Sequence, residues 1–261
     1  MNTKLTLLLS ITVAISSSLF TTSSEAIISY AEAKGNLNPE FSGTPDFVNI
    51  EDRKERKRVF INYINSKANP ILHRIRKERT VLISLYLRHR SGEVLSDSEQ
   101  QWVLRLAKLR KVNSFDSDTD IEWDKLLIRT DTIQLSLLLA QAALESSWGT
   151  SRFAKQGNNY FGIWCFTPGC GIVPKKRTDG DSHEVEAYTD IDSAIEKYIH
   201  ILNTGTAFEE LRSLRYEQRE KLLTPSGTFM LNGLKRYAEN GGEYMRTLET
   251  LIRQNSLGEY D

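Results

Sequence analysis

The chain has 261 residues, enough for one sizeable core with extensions but too few for two large independent ones. Its 34 basic residues balance 34 acidic ones, so no global field marks a nucleic-acid binder or a polyanion sponge. Charge is nevertheless uneven: Ile50 to Val112 carries 16 Lys and Arg against 7 Asp and Glu, whereas Asn113 to Asp131 carries 6 acids against 2 bases. A basic N-terminal part would suit an anionic envelope; the plainer reading is the solvated faces of charged helices.

Lys4 precedes an uncharged stretch, Leu5 to Ser24, rich in Leu, Ile, Val and Ser. It reads as an export signal, with Ser24 and Ala26 as the small residues before a cleavage site, or as an uncleaved membrane anchor. Residues 1–26 are therefore expected to be signal peptide or anchor, and 27–45, mixing Gly, Asn, Pro and Ser, a linker. Export places Cys165 and Cys170 in an oxidising compartment. With Pro168 and Gly169 between them to turn the chain, they read as a disulfide. A loop that short gains only about 2 kcal/mol on the chain-entropy model, so its role is to fix local geometry.

From Ile50 the apolar residues fall at helical spacing. Val59, Phe60, Tyr63 and Ile64 predict one helix, and Ile71, Ile75, Leu82, Ile83 and Leu85 a second after Pro70. Ser96 followed by Glu99 forms a capping-box pattern that introduces a third, with Trp102, Val103, Leu106 and Leu109. These make an N-terminal helical arm, 46–115. An acidic stretch, Asp116 to Asp124, separates it from a domain at 116–261.

That domain opens with a very apolar helix, Ile133 to Ser147, capped by Asp131 or Thr132 and ending near Gly149. Gly157 to Asp181 is too rich in Gly, Asn and Cys for regular helix. Glu184 to Tyr188 alternates as a strand would, the second arm of a small hairpin whose first includes Ile172 and Val173. Helices resume at Ile191, with one stripe of Ile195, Tyr198, Ile199 and Leu202 and another of Met245, Leu248, Leu251 and Ile252. The expected fold is mainly α, an α+β arrangement with a small β-hairpin.

The residue best placed for chemistry is Glu145. It lies three residues after Ala142 and seven after Leu138, and so shares their face at the end of the most apolar helix. Loss of hydration there raises a carboxyl pKa, and keeping Glu protonated near neutrality takes about 2 units, roughly 2.7 kcal/mol. A general acid that protonates a leaving glycosidic oxygen needs this. The plainer alternative is a Glu at a helix end pointing to water. Around it, Trp148 and Trp164 offer aromatic faces for sugar rings, Asn158 and Asn159 offer planar polar partners, and Tyr160 and Phe161 follow. Carbohydrate sites require that mixture, although each aromatic taken singly is as readily core.

The run AQAALESSWGTSRFAKQGNNYFGIWCFTPGCGIVP, Ala140 to Pro174, resembles the signature of Bax-type proteins within the bacterial glucosaminidase family, which includes autolysins and the flagellar rod-cap peptidoglycan hydrolase. Ala143, Leu144, Glu145, Ser146, Trp148 and Gly149 carry the first element, and Asn159, Phe161 and Gly162 the second. HEVEAY, His183 to Tyr188, and NGLKRYAENGGEY, Asn232 to Tyr244, extend the similarity. The resemblance implies a lysozyme-like helical domain that cleaves peptidoglycan glycan strands at the bond between N-acetylglucosamine and N-acetylmuramic acid. It implies action in the periplasm or envelope of a bacterium, with no cofactor or metal. The family's catalytic acid maps onto Glu145. Its second acid lies in a β-hairpin for which this chain has only a short, Cys-bridged, basic segment; Glu184, with Glu186 next, is the choice, since alternation points both to one face. An active-site Tyr of the family maps onto Tyr237, with Tyr244 following. Where the second acid is remote, the substrate's acetamido group would serve as nucleophile. A lytic transglycosylase using Glu145 alone, and a non-catalytic wall-binding scaffold, are the alternatives.

Other constellations are weaker. Cys165 with His183 would make a thiol nucleophile and base, and Cys165, Cys170, His183 and Asp181 a zinc set, but an oxidising compartment favours the disulfide and no paired-His motif supports zinc. Lys175, Lys176 and Arg177 form a basic knot suited to anionic glycan or to a solvated loop, and too short for nucleic acid. His73, His89 and His200 fall in helical patterns as ordinary residues.

Overall fold

The computed structural model describes residues 41, 43–116, 119–175, 180, 182–221 and 223–261. The expected signal, most of the linker, and Lys176, Arg177 and Asp181 lie outside the described residues.

Helix α1, Arg53–Arg90, begins where the Asp52 side chain accepts the Glu55 N–H at 2.7 Å. It runs unbroken through Pro70, so the two helices expected on either side of that residue are one. A proline inside a helix costs about 3 kcal/mol. Burial of Ile71, Leu72 and Ile75 beside it, at about 1.5–3 kcal/mol each, outweighs that. Helix α2, Asp97–Leu109, starts at the expected capping box, with Ser96 and Glu99 bonded reciprocally. Its buried stripe is Val103, Leu106 and Ala107, packed in one cluster with Leu82, Leu85 and Trp123, while Leu109 falls off that stripe and is exposed. Helix α3, Asp120–Arg129, supplies Trp123 and Leu126 to the same cluster.

The N-terminal half of α1 belongs to a second and larger core. There Phe60, Tyr63, Ile64, Ala68, Ile71 and Leu72 pack with α4, Leu135–Glu145, and α6, Ile191–Thr204. The expected helical arm thus shares its core with the residues after 116. Every residue of α4 from Leu135 to Ala143 is buried, so this helix is apolar all round and needs neighbours on every side. They include α9, Gly241–Gln254, and the short turns Gly227–Met230 (α8) and Leu257–Tyr260.

Neither Asp131 nor Thr132 caps α4. The Asp261 carboxylate, from far along the chain, accepts from Ser136 N at 2.9 Å, Ser136 Oγ at 2.7 Å and Gly227 N at 2.7 Å. It places negative charge on the positive end of the helix. Asp131 is drawn away instead by three guanidiniums, those of Arg79, Arg215 and Arg219.

The remaining helices are α5, Arg152–Gly157, and α7, Glu209–Glu220. Between α5 and α6 lies one antiparallel sheet, with β3, Glu184–Glu186, between β1, Trp164–Cys165, and β2, Gly171–Ile172. The expected two-armed hairpin therefore gains a third strand, and its strand run stops at Glu186. Val173 lies outside it and is exposed. The architecture is mainly α-helical with this small β element. Among the described residues, no helix is long and apolar enough to cross a membrane.

Candidate active site

Glu145 is the last residue of α4, on the face of the fully buried Leu138 and Ala142. The helix stops there for local reasons. Ser146 Oγ donates to the Ala142 carbonyl at 2.6 Å and accepts the Gly149 N–H at 2.8 Å, while Ser147, Trp148 and Gly149 take left-handed φ values of +51°, +58° and +80°. The motif Glu-Ser-Ser-Trp-Gly is a helix-ending device that leaves the carboxyl group at the rim of the core.

The half-buried Glu145 carboxyl is hydrogen-bonded at one oxygen and closely approached at the other. Tyr244, on α9, donates its hydroxyl to Oε1 at 2.8 Å. On the other side stands Gly162, at φ +65°, where a Cβ would lie 2.8 Å from Oε2, so a residue with a side chain would collide with the carboxyl. Burial pushes the Glu145 carboxyl above the usual carboxylate range. The Tyr244 hydrogen bond pulls it back only in part.

Three further residues build the Tyr244 side. Gln141, one turn before Glu145, donates Nε2–H to the Tyr244 hydroxyl at 2.9 Å, and the fully buried Tyr198 donates its own hydroxyl to Gln141 Oε1 at 2.6 Å. Tyr237 stacks on Tyr244 with centroids 5.5 Å apart and planes at 10°. Its hydroxyl donates to the Phe161 carbonyl at 2.8 Å rather than to Glu145. The tyrosine bonded to the acid is therefore Tyr244, and Tyr237 pins the Phe161–Gly162 backbone against it. Sequence reasoning named neither Gln141 nor Tyr198 for the site. The available signal was an amide in the middle of an otherwise apolar helix, four residues before the acid.

Several residues expected to meet a sugar have other duties. Asn159 is buried, its Nδ2 donating to the Ile163 and Glu186 carbonyls at 2.9 and 2.8 Å and its Oδ1 accepting from Phe161 and Ile163 N–H. Asn158, at φ +50°, ends α5 and donates to the Tyr188 and Thr189 carbonyls. Phe161 is fully buried, stacked on Tyr198 at 4.3 Å. The two asparagines are pins because the irregular chain around them has no regular ladder and needs side chains to satisfy its backbone, and Phe161 is core. Trp148 packs edge-on against Phe60 and carries the Lys57 ammonium 4.8 Å over its ring. Trp164 alone of the expected set offers open aromatic surface: it is 52% exposed and stacks on His183 at 3.9 Å.

Cys165 and Cys170 are joined as a disulfide. Neither is a thiol nucleophile for His183, and although both sulfurs and the Glu184 carboxylate cluster within 4.8 Å, bonded sulfurs are not the thiolates that zinc takes. Glu184 is buried, accepting the Gly169 N–H at 3.0 Å and the Gly171 N–H at 2.8 Å. It anchors the disulfide loop. Glu186 faces Lys197 at 3.3 Å.

The chain is 29% identical over 214 residues to Protein bax of Escherichia coli, covering 82% of this chain and 75% of that one. It aligns with the solved catalytic domain of the autolysin Auto from Listeria monocytogenes at a TM-score of 0.43 and 20% identity, covering 92% of this chain and 99% of that one. Residues 121–257, more than half the chain, match the family described as Glucosaminidase: Mannosyl-glycoprotein endo-beta-N-acetylglucosaminidase. Those residues hold Glu145, Gly162, Tyr237 and Tyr244, and the chain belongs to the glucosaminidase family of glycoside hydrolases.

Proposed function

We propose that the protein is an exported hydrolase of peptidoglycan glycan strands, cutting the β-1,4 bond between N-acetylglucosamine and N-acetylmuramic acid with Glu145 as general acid. The observation that carries this is the Glu145 carboxyl, raised by burial and held between the Tyr244 hydroxyl and the Gly162 backbone. Glu145 gives its proton to the leaving glycosidic oxygen as the C1–O bond breaks. Glu184 is committed to the Gly169 and Gly171 amides, which favours the substrate's own acetamido oxygen as the nucleophile at C1. Water, deprotonated by the Glu145 carboxylate, then opens the resulting oxazolinium ion, restoring the acetamido group and the acid. Trp164 supplies the exposed aromatic face for a sugar ring.

The test is digestion of purified sacculi by the wild-type protein and by Glu145→Gln, with mass spectrometry of the products. Hydrolysis by the wild type leaves reducing N-acetylglucosamine ends, and Glu145→Gln releases none. Anhydro ends would turn the reading into a lytic transglycosylase using the same acid, and binding without turnover into a non-catalytic wall protein.

A further inference from the structure

Glu145 and the three polar side chains behind it form one chain: Tyr198 Oη to Gln141 Oε1, Gln141 Nε2 to Tyr244 Oη, and Tyr244 Oη to Glu145 Oε1. Two directions of proton donation satisfy such a chain. In one, Tyr198 donates and every link runs toward Glu145, whose Oε1 only accepts. In the other, the Gln141 amide is turned over, Glu145 donates from Oε1, and the links run toward Tyr198. The second direction leaves the Tyr198 hydroxyl proton with no acceptor, because Gln141 is its one hydrogen-bond partner among the described residues and the ring is buried. An unsatisfied buried donor is costly, so the first direction prevails.

We propose that Tyr198 and Gln141 are positioning residues that fix the direction of this chain and thereby confine the acid proton of Glu145 to Oε2, the oxygen beside Gly162. The proposal rests on the assignment of Glu145 as general acid. It adds the reason one carboxyl oxygen, not either, delivers the proton. The titratable groups facing Glu145 are all tyrosines: Tyr244 from α9, Tyr237 from the turn before it and Tyr198 from α6. Among the described residues, no charged side chain shares this chain of hydrogen bonds.

The experiment uses Tyr198→Phe and Gln141→Leu in the full protein. Tyr198→Phe lets the Gln141 amide turn over so that Tyr244 accepts from Oε1, and Gln141→Leu removes the N–H that polarises Tyr244 as a donor to the carboxylate; both stabilise the protonated acid relative to the carboxylate. The expected result is a kcat on sacculi lowered about tenfold, equivalent to about 1.4 kcal/mol, with the alkaline limb of the pH–rate profile moved upward. Glu145 13Cδ NMR, read by difference from Glu145→Gln, should show the same upward shift in the carboxyl titration. Because NMR needs no turnover, a wild-type protein without glycan cleavage would overturn the hydrolase reading while leaving the chain testable. Folded Tyr198→Phe protein with an unmoved Glu145 titration would overturn the chain. If Tyr198→Phe does not fold, Gln141→Leu is read in the same way, and Gln141→Met, which cannot donate to Tyr244, gives the third reading: an unmoved limb there also overturns it.

Discussion

Adding one methyl group at Gly162 tests the site most directly. Gly162 sits at φ +65°, and its missing Cβ would lie 2.8 Å from Glu145 Oε2. For alanine, the left-handed backbone costs about 1–2 kcal/mol. In a domain of this size that corresponds to a drop in melting temperature of about 2–8 °C. The contact adds a second effect. Carbon and oxygen settle at about 3.3 Å or more, so the carboxyl group must retreat by about 0.5 Å. The backbone cannot yield instead without stretching the bond from Tyr237 to the Phe161 carbonyl. Retreat from Gly162 presses the carboxyl toward Tyr244 and distorts the 2.8 Å bond at Oε1. Since about 1 Å of misplacement costs about a hundredfold in rate, Gly162→Ala should retain its fold but lose about 10- to 100-fold in kcat. The assays are a thermal melt and turbidity clearance of purified sacculi, run together. Full clearance by folded Gly162→Ala protein would refute the claim that this glycine makes room for the acid.

Trp164→Ala should leave the melting temperature unchanged within about 1 kcal/mol equivalent, because the ring is half exposed. It should raise KM for soluble glycan fragments about 3- to 10-fold, and an unchanged KM would remove Trp164 from the substrate surface. Glu184→Gln replaces one amide-bound oxygen by a donor facing a donor, and should cost about 1–3 kcal/mol in urea denaturation while speeding reduction of Cys165–Cys170 by dithiothreitol. If cleavage rather than stability collapsed, Glu184 would be a participant in the reaction. For Asp131, burial pushes the carboxyl upward, but Arg215, Arg79 and Arg219 outweigh it and hold it below the usual range. The folded protein therefore binds fewer protons there than the unfolded chain. Its stabilisation is present above about pH 4 and is lost as pH falls through the lowered value. Asp131→Asn should cost about 3–5 kcal/mol at pH 7 and flatten the acid limb of urea midpoint against pH; an unaltered limb would show that Asp131 does not govern acid unfolding.

The sequence displayed what depends on near neighbours. Periodicity located α1, α2, α6 and α9, the Ser96–Glu99 pair announced a helix start, and cysteine spacing with a turn between predicted the disulfide. Glu145 was legible for the same reason, since its place on the face of Leu138 and Ala142 follows from helical geometry alone. Continuity through Pro70 was not, because a local penalty was overridden by burial against distant residues.

Within the site, residue types alone could say that an acid, tyrosines, asparagines and tryptophans were present, but not which of them meet. Tyr237 and Tyr244 have identical chemistry and lie seven residues apart; only the docking of α9 and the turn before it on α4 puts one hydroxyl on Glu145 and the other on a backbone carbonyl. Likewise Asn159 and Glu184 look free for substrate in a string of residues, yet both are consumed by backbone amides or carbonyls that the irregular chain brings to them. Hydrogen-bond partners across long loops are chosen by the folded chain as a whole, since burial makes every unpaired polar group costly and the nearest available partner is set by packing, not by sequence order.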